Sequence, residues 1–365
     1  MAWRRPFRPC TVNRSQTVLP GWHALCCGVP VQSCSAGTQE RVMGFKRLML
    51  GLSVLFACTG EVLANDNYPD KAVSLVVVWP AGGGHDIAAR LVAEHAADHL
   101  GQPIMVNNVT GAAGSNGMRH VASAKPDGYT VGLMGMHALV QSYMNPNAPS
   151  LDKFDPLAFL AFEPGSLQVR ADAGIDTLEQ YVEQLRREPG SIVHGNDALG
   201  GNTFVYTTLL EKHFGIELTR VPYAGHAPNT AALVSGEIAS AAMPIPQIVQ
   251  HYQAGTVKVL GVMGEERNFM LPDVPTFREL GHDLVIGDYF VFFMPKGVPA
   301  EARAKLEDAF LKAMDAPALR ERAATIGIEV QPGGQARAAA VLAEQDAKIY
   351  PMLLEEGMVH KSLVK

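Results

Sequence analysis

Apolar, β-branched runs that stop at loops of small residues, each followed by apolar positions at helical spacing, recur along this chain. The clearest instance is Val76-Val77-Val78-Trp79-Pro80-Ala81-Gly82-Gly83-Gly84-His85-Asp86-Ile87-Ala88-Ala89-Arg90. The valines read as a buried strand that stops at Pro80. Ile87, Leu91 and Val92 then repeat as one helix face up to about residue 100, where Gly101 is a natural stop. A short strand over 103–107 follows, then a second glycine loop over 110–117 and a helix near 118–124. The turn Lys125-Pro126-Asp127-Gly128 leads into a strand over 129–134.

Residues 145–157, with Asn145, Pro146, Asn147, Pro149 and Pro156, read as a loop and a candidate domain boundary. Beyond it the pattern predicts strands over 157–162 and 167–170. A helix capped by Asp176 comes next, its inner face formed by Leu178, Tyr181, Val182 and Leu185. The opening motif is then echoed twice. Strand 191–194, small-residue loop 195–202 and helix 203–213 form one echo. Strand 218–222, the loop Tyr223-Ala224-Gly225-His226 and helix 227–235 form the other. Strands over 257–263 and 284–294 flank the stiff connector Leu271-Pro272-Asp273-Val274-Pro275-Thr276, and helices near 299–315, 317–325 and 335–357 end the chain. Alternating strands and helices imply βαβ units and a parallel sheet.

Length and composition narrow the class. A chain of 365 residues, 47% hydrophobic and 18% charged, is long enough for two well-packed domains. Its net charge of -6 argues against a nucleic-acid partner. Met43 opens a segment built like an export signal. Lys46 and Arg47 supply the positive start, residues 48–57 an apolar core, and Val62-Leu63-Ala64 the approach to a cut before Asn65. That core is shorter than the ~20 residues a membrane span needs. Residues 43–64 are therefore expected to be a cleaved signal peptide, and residues 1–42 an upstream extension that does not fold. All five cysteines (Cys10, Cys26, Cys27, Cys34 and Cys58) precede the cut, so the exported chain would carry no disulfide or thiolate site.

A strand, a glycine loop and a helix N-terminus together make an anion site, because free peptide N–H groups and the positive end of the helix dipole meet there. The candidate ligand-binding residues are Ala81, Gly82, Gly83, Gly84, His85 and Asp86 in the first loop. In the second loop they are Asn196, Asp197, Ala198, Gly200, Gly201, Asn202 and Thr203. Met136, His137 and Pro244, at the ends of strands, are candidate pocket walls. Asp86 has two readings: a first-turn acid that steadies its helix, or an acceptor for a ligand donor. Trp79 reads as a core residue ahead of a pocket wall, and His85 and His226 as ligand contacts or solvent-facing polar residues. Enzyme signatures are absent: no G-x-S-x-G, no H-E-x-x-H, no P-loop lysine and no full G-x-G-x-x-G. His95 and His99 lie four apart but lack a supporting acid, so no metal, cofactor or catalytic residue is expected.

Five stretches resemble one family, the solute-binding receptors of tripartite tricarboxylate transporters (Bug or TctC-like receptors). They are residues 79–90, 111–117, 125–130, 221–228 and 271–276, in family order across the chain. The resemblance implies a periplasmic binding protein of type II-like α/β fold, with a ligand cleft between two α/β domains. Domain I would comprise 65–165 plus 286–365, and domain II 166–285, joined by crossover strands. It implies a monomer that binds a small carboxylate between the two loops, partly through backbone amides and ordered water, and delivers it to membrane subunits of the transporter. The second loop departs from the pattern. Gly200 matches, but Gly201 stands where serine is common, Phe204 where histidine is common, and Asp197 adds a negative charge. A mono- or dicarboxylate, or one with an amine or aromatic part, suits this loop better than a tri-acid. The alternatives are a ligand sensor feeding a two-component system and, further off, a secreted hydrolase.

Overall fold

The valine-rich opening run and its echoes fold as strands that each hand over to a helix across a glycine loop. A computed structural model describes residues 68–365 apart from Ala198. The expected signal peptide and upstream extension lie outside the described residues. Strand β1 (Val73–Val77), helix α1 (Gly84–Leu100), β2 (Ile104–Asn108), α2 (Ser115–Ala122) and β3 (Thr130–Met134) form the first half, with β1 parallel to both β2 and β3. Helix α3 (Met136–Met144) follows directly. The long strand β4 (Phe154–Arg170) leads to α4 (Leu178–Arg187), β5 (Val193–Asp197), α5 (Asn202–Phe214), β6 (Thr219–Tyr223), α6 (His226–Ser235), β7 (Ser240–Pro244), α7 (Val249–Gln253) and β8 (Val257–Val262). In that half β5 is parallel to β6 and β7. Strand β9 (Gly287–Pro295) returns to the first half, and α8 (Ala300–Asp315), α9 (Pro317–Thr325) and α10 (Gln335–Glu355) close the chain.

The strand order is β2-β1-β3-β9-β4-β7-β5-β6, with β8 also paired to β4. The expected all-parallel sheet is corrected at its middle. β9 runs antiparallel to β3 and β4, and β4 antiparallel to β7 and β8. These two strands carry the chain between the halves in opposite directions, which forces that pairing. β4 also begins within the end of the loop read over 145–157 and joins the two strands read over 157–162 and 167–170 into one. It pairs with β9 through Pro164 and with β7 from Gly165 onward. Pro156 is accommodated because the register slips between Pro156 and Ala158, where a missing N–H breaks no ladder bond.

Burial explains which elements the pattern revealed. β1 puts Val73, Leu75 and Val77 into one core cluster and Val76 into another, so both faces are covered and the run is uniformly apolar. Every residue of β9 is buried, with Phe292 and Phe293 at 0% exposure. α3 was not anticipated: Met136, Ala138, Leu139, Val140, Ser142 and Tyr143 are all buried, leaving no polar face to mark a period. The cap of α4 is Thr177 rather than Asp176, its hydroxyl accepting from Gln180 N at 3.2 Å.

Two buried groups fix the loops at the strand ends. Asp86 accepts from Gly82 N (2.9 Å), Arg90 Nε (3.0 Å) and Nη2 (2.9 Å), and Asn108 Nδ2 (2.9 Å). Burial pushes its carboxyl upward, but the bonds from Arg90, Gly82 and Asn108 outweigh that and hold it below the usual range. All its acceptor capacity is spent on its own turn. In β5, His194 Nδ1 lies 2.8 Å from Ser240 Oγ and Nε2 lies 3.0 Å from Thr207 Oγ1. Thr207 already donates to Thr203 O, so Nε2 donates to Thr207. Burial, reinforced by Arg220, brings this imidazole down to about 3.

Asp86→Ala is expected to lower the unfolding free energy of ligand-free protein by about 1.5–3 kcal/mol, since four donor groups on three residues lose a charged acceptor. Equal urea midpoints for the variant and the parent would remove the bracing role. Between pH 6.5 and about 3 the unfolded chain binds a proton that folded His194 excludes. Its contribution is therefore complete above that window and falls by roughly 1.4 kcal/mol per pH unit as the pH drops through it. Urea titrations from pH 7.5 to 4 should show a shallower decline in His194→Gln; parallel declines would contradict the buried neutral ring.

Candidate functional site

Four helices begin at glycines around one region. The N-caps of α1, α3, α5 and α6 are Gly83, Gly135, Gly201 and Gly225, and none carries a side-chain capping bond. Serine, threonine or aspartate at these positions would have consumed first-turn N–H groups. At α1 the N–H groups of Gly84 and His85, and at α6 those of His226 and Ala227, have no protein acceptor among the described residues. These termini open on a cleft of about 590 Å³. Trp79, Pro80, Gly83, Gly84, His85, Ala113, His137 and Gln141 line it from the first half. Asp197, Leu199, Gly201, Asn202, Tyr223, Ala224, Gly225 and His226 line it from the second, and Asp288 of β9 from the floor.

Asp288 ties the two sides together. Its Oδ1 accepts from Met136 N at 2.7 Å, the first N–H of α3, and from Tyr289 N at 2.8 Å. Its Oδ2 accepts from Asn202 Nδ2 of α5 at 2.8 Å and lies 3.9 Å from His85 Nε2. Gly135 is required beside it, because a Cβ there would overlap Asp288 Oδ1 and His85 Nε2. Across the strand pair stands Glu163, whose carboxyl is pushed up to about 8 by burial and by the Asp288 charge.

The histidines are held by aromatic contacts. His85 stacks on Phe290 (centroids 4.2 Å apart, planes at 20°), and Trp79 presents an edge to His137 at 4.9 Å. Burial lowers both His85 and His137 below the ordinary imidazole value, against the pull of Asp288, so both stay neutral near pH 7. His226 Nε2 lies 3.7 Å from Asp197 Oδ2. Buried polar atoms without a partner among the described residues cluster here: Trp79 Nε1, Asp197 Oδ1 and Asn202 Oδ1. The described lining holds no Ser, Thr, Cys, Lys or Arg side chain. The arrangement offers N–H donors and neutral imidazoles.

Of the residues named from sequence, Gly83, Gly84, His85, His137, Asp197, Gly201 and Asn202 meet in this cleft. Ala198 lies outside the described residues. The others stand behind or beside the wall. Gly82 turns its N–H to Asp86, and Asp86 is 3% exposed with its oxygens on Gly82, Arg90 and Asn108. Ala81 is exposed off the rim, and Gly200 packs against Met144. Met136 is fully buried and reaches the site only through its N–H, and Pro244 is buried. Asn196 donates to Asp197 O, and the Thr203 hydroxyl accepts from Asp197 N. Trp79, read as core, is a wall. Gln141 was missed with its helix. Asp288 was missed although its signal was present: it is the one carboxylate inside the apolar run 284–294.

A smaller cavity of about 190 Å³ lies between β4, the loop after β8 and α10. It is lined by Glu265, Glu266, Glu329 and Glu344, while Arg267 is paired with Glu279 and Arg337 sits over the Phe159 ring. The first N–H of α10, on Gln335, is taken by Glu307 at 2.7 Å. Four glutamates in this lining set it against an anion.

A family model described as the tripartite tricarboxylate transporter family receptor, TctC, matches residues 88–358. A Cupriavidus necator protein described as "UPF0065 protein in gbd 5'region" is 33% identical over 267 residues, 72% of this chain and 81% of that one. A TctC solute-binding protein from Polaromonas superposes with a TM-score of 0.73 at 28% identity, covering 79% of this chain and 99% of the other. MatC from Rhodopseudomonas palustris, solved with bound malate, gives 0.64 at 29% identity, covering 80% of this chain and 100% of the other. The α/β fold is that of the TctC-type solute-binding proteins, and the chain belongs to the TctC family of tripartite tricarboxylate transporter receptors.

Proposed function

We propose that this protein is a periplasmic receptor that captures a small organic carboxylate between its halves and delivers it to the membrane subunits of a tripartite tricarboxylate-type transporter. One observation carries the proposal: the uncapped N-termini of α1 and α6 open on the same cleft, α1 in the first half and α6 in the second. Each offers peptide N–H groups and a positive dipole end to an anion. Malate bound in a TctC-type neighbour supports a carboxylate as that anion.

In this reading residues 65–165 with 286–365, and residues 166–285, act as two domains hinged on β4 and β9. Ligand favours the closed form only through contacts made to both, which the opposed helix ends provide. Domain closure sequesters the ligand. The described cleft lining holds no Ser, Thr, Cys or Lys side chain, and in this reading the bound molecule leaves unchanged.

A thermal-shift panel of mono- and dicarboxylates should contain at least one acid that raises the melting temperature. At a hundredfold excess over Kd the stabilisation is about 2.7 kcal/mol. A panel in which no carboxylate shifts the melting temperature would contradict the proposal.

A further inference from the structure

We infer that the ligand of this cleft carries a protonated amine beside its carboxylate, so that it is an amino acid or related zwitterion rather than a simple di- or tricarboxylate. The inference rests on the carboxylate-receptor reading and adds the chemistry of the second ligand group. The cleft holds two carboxylates, Asp197 and Asp288, and no lysine or arginine among the described residues that line it. The guanidinium of nearby Arg90 is spent on Asp86 and Asn108. With the open ends of α1 and α6 both turned to the first carboxylate, a second would meet Asp197 and Asp288 with no cationic side chain among the described lining to offset them.

Acceptors stand unused in the same wall. Asp197 and Asn202 are 7% and 4% exposed, and each keeps one buried oxygen with no donor among the described residues. The Asn202 amide is oriented by chemistry: Nδ2 donates to Asp288 Oδ2, and a carboxylate only accepts, so Oδ1 is the free atom. Asp197 Oδ2 is occupied by Thr203 N at 3.3 Å and faces His226, which leaves Oδ1. Gly201 lets Asp197 pack this close, since a Cβ at that position would overlap its side chain. An ammonium brings three donors and one positive charge, which matches two unpaired oxygens and an excess of carboxylate. A hydroxyl in its place supplies a single donor and no charge. The ligand carboxylate takes the N–H groups of α1 and α6, and the ammonium takes Asp197 and Asn202.

Isothermal titration with matched pairs, in which a hydroxyl is exchanged for an amine on the same carbon, separates the terms: lactate with alanine, and malate with aspartate. In at least one pair the aminated member should bind about tenfold or more tighter, since charged hydrogen bonds are roughly twice as strong as neutral ones. In Asp197→Asn, which retains an oxygen for Thr203 N, that preference should fall to within about threefold while binding of the hydroxy acid persists. Hydroxy or dicarboxylic acids that bind as tightly as their aminated partners, or tighter, would overturn this inference and leave the receptor reading standing. Failure of every acid to bind, aminated or not, would overturn both. The wild-type comparison decides the matter even where the variant does not fold.

Discussion

Peptide N–H groups at the starts of helices are the constraint on which the rest depends. A helix leaves its first N–H groups without partners inside itself. This chain places glycine at the cap of four helices around one cleft and so declines to satisfy them locally. One terminus, that of α3, is answered from within by Asp288, and α5 is partly answered by Asp197. Those of α1 and α6 remain available. The sheet serves this arrangement. Parallel strands in each half end on the same side as the loops, and the antiparallel pair β4 and β9 brings two such ends to face each other.

Asp288 shows how the fold and the site share one element. It sits in a strand whose every residue is buried, and its two oxygens hold the starts of α3 and α5 together. A buried carboxylate without such donors would be costly, so the geometry of both helices is bound to its charge. Because β9 is also one of the two strands that join the halves, the cleft floor and the connection between halves are the same piece of chain.

Much of this was legible in the sequence, because the carriers are local. A valine run, three glycines and a helical repeat report their own structure, and the two echoes of that pattern were found on the same grounds. What escaped was set by distance. Asp86 is adjacent to the glycine loop and its pairing with Arg90 has helical i,i+4 spacing, but Asn108, 22 positions away, completes the set that turns it inward, which no spacing rule reveals. Trp79 reads as a strand end until His137, from an unanticipated helix, stands against it. β4 reads as two strands because Pro164 interrupts the apolar pattern, at the point where the strand passes from β9 to β7, a hand-over that depends on the partner strands. Asp288 was visible as an odd charge in an apolar run, but its role depends on residues 86 and 152 positions away.

The account turns on peptide nitrogens at the two open helix ends taking the ligand carboxylate, and amide-resolved NMR titration of the folded chain with its tightest-binding carboxylate measures that directly. The account predicts that the amide resonances of Gly84, His85 and His226 move most and saturate together, while those lining the smaller cavity, such as Glu265 and Gln331, stay in place. Saturable movement confined to the smaller cavity, with the amides of α1 and α6 unmoved, would contradict it.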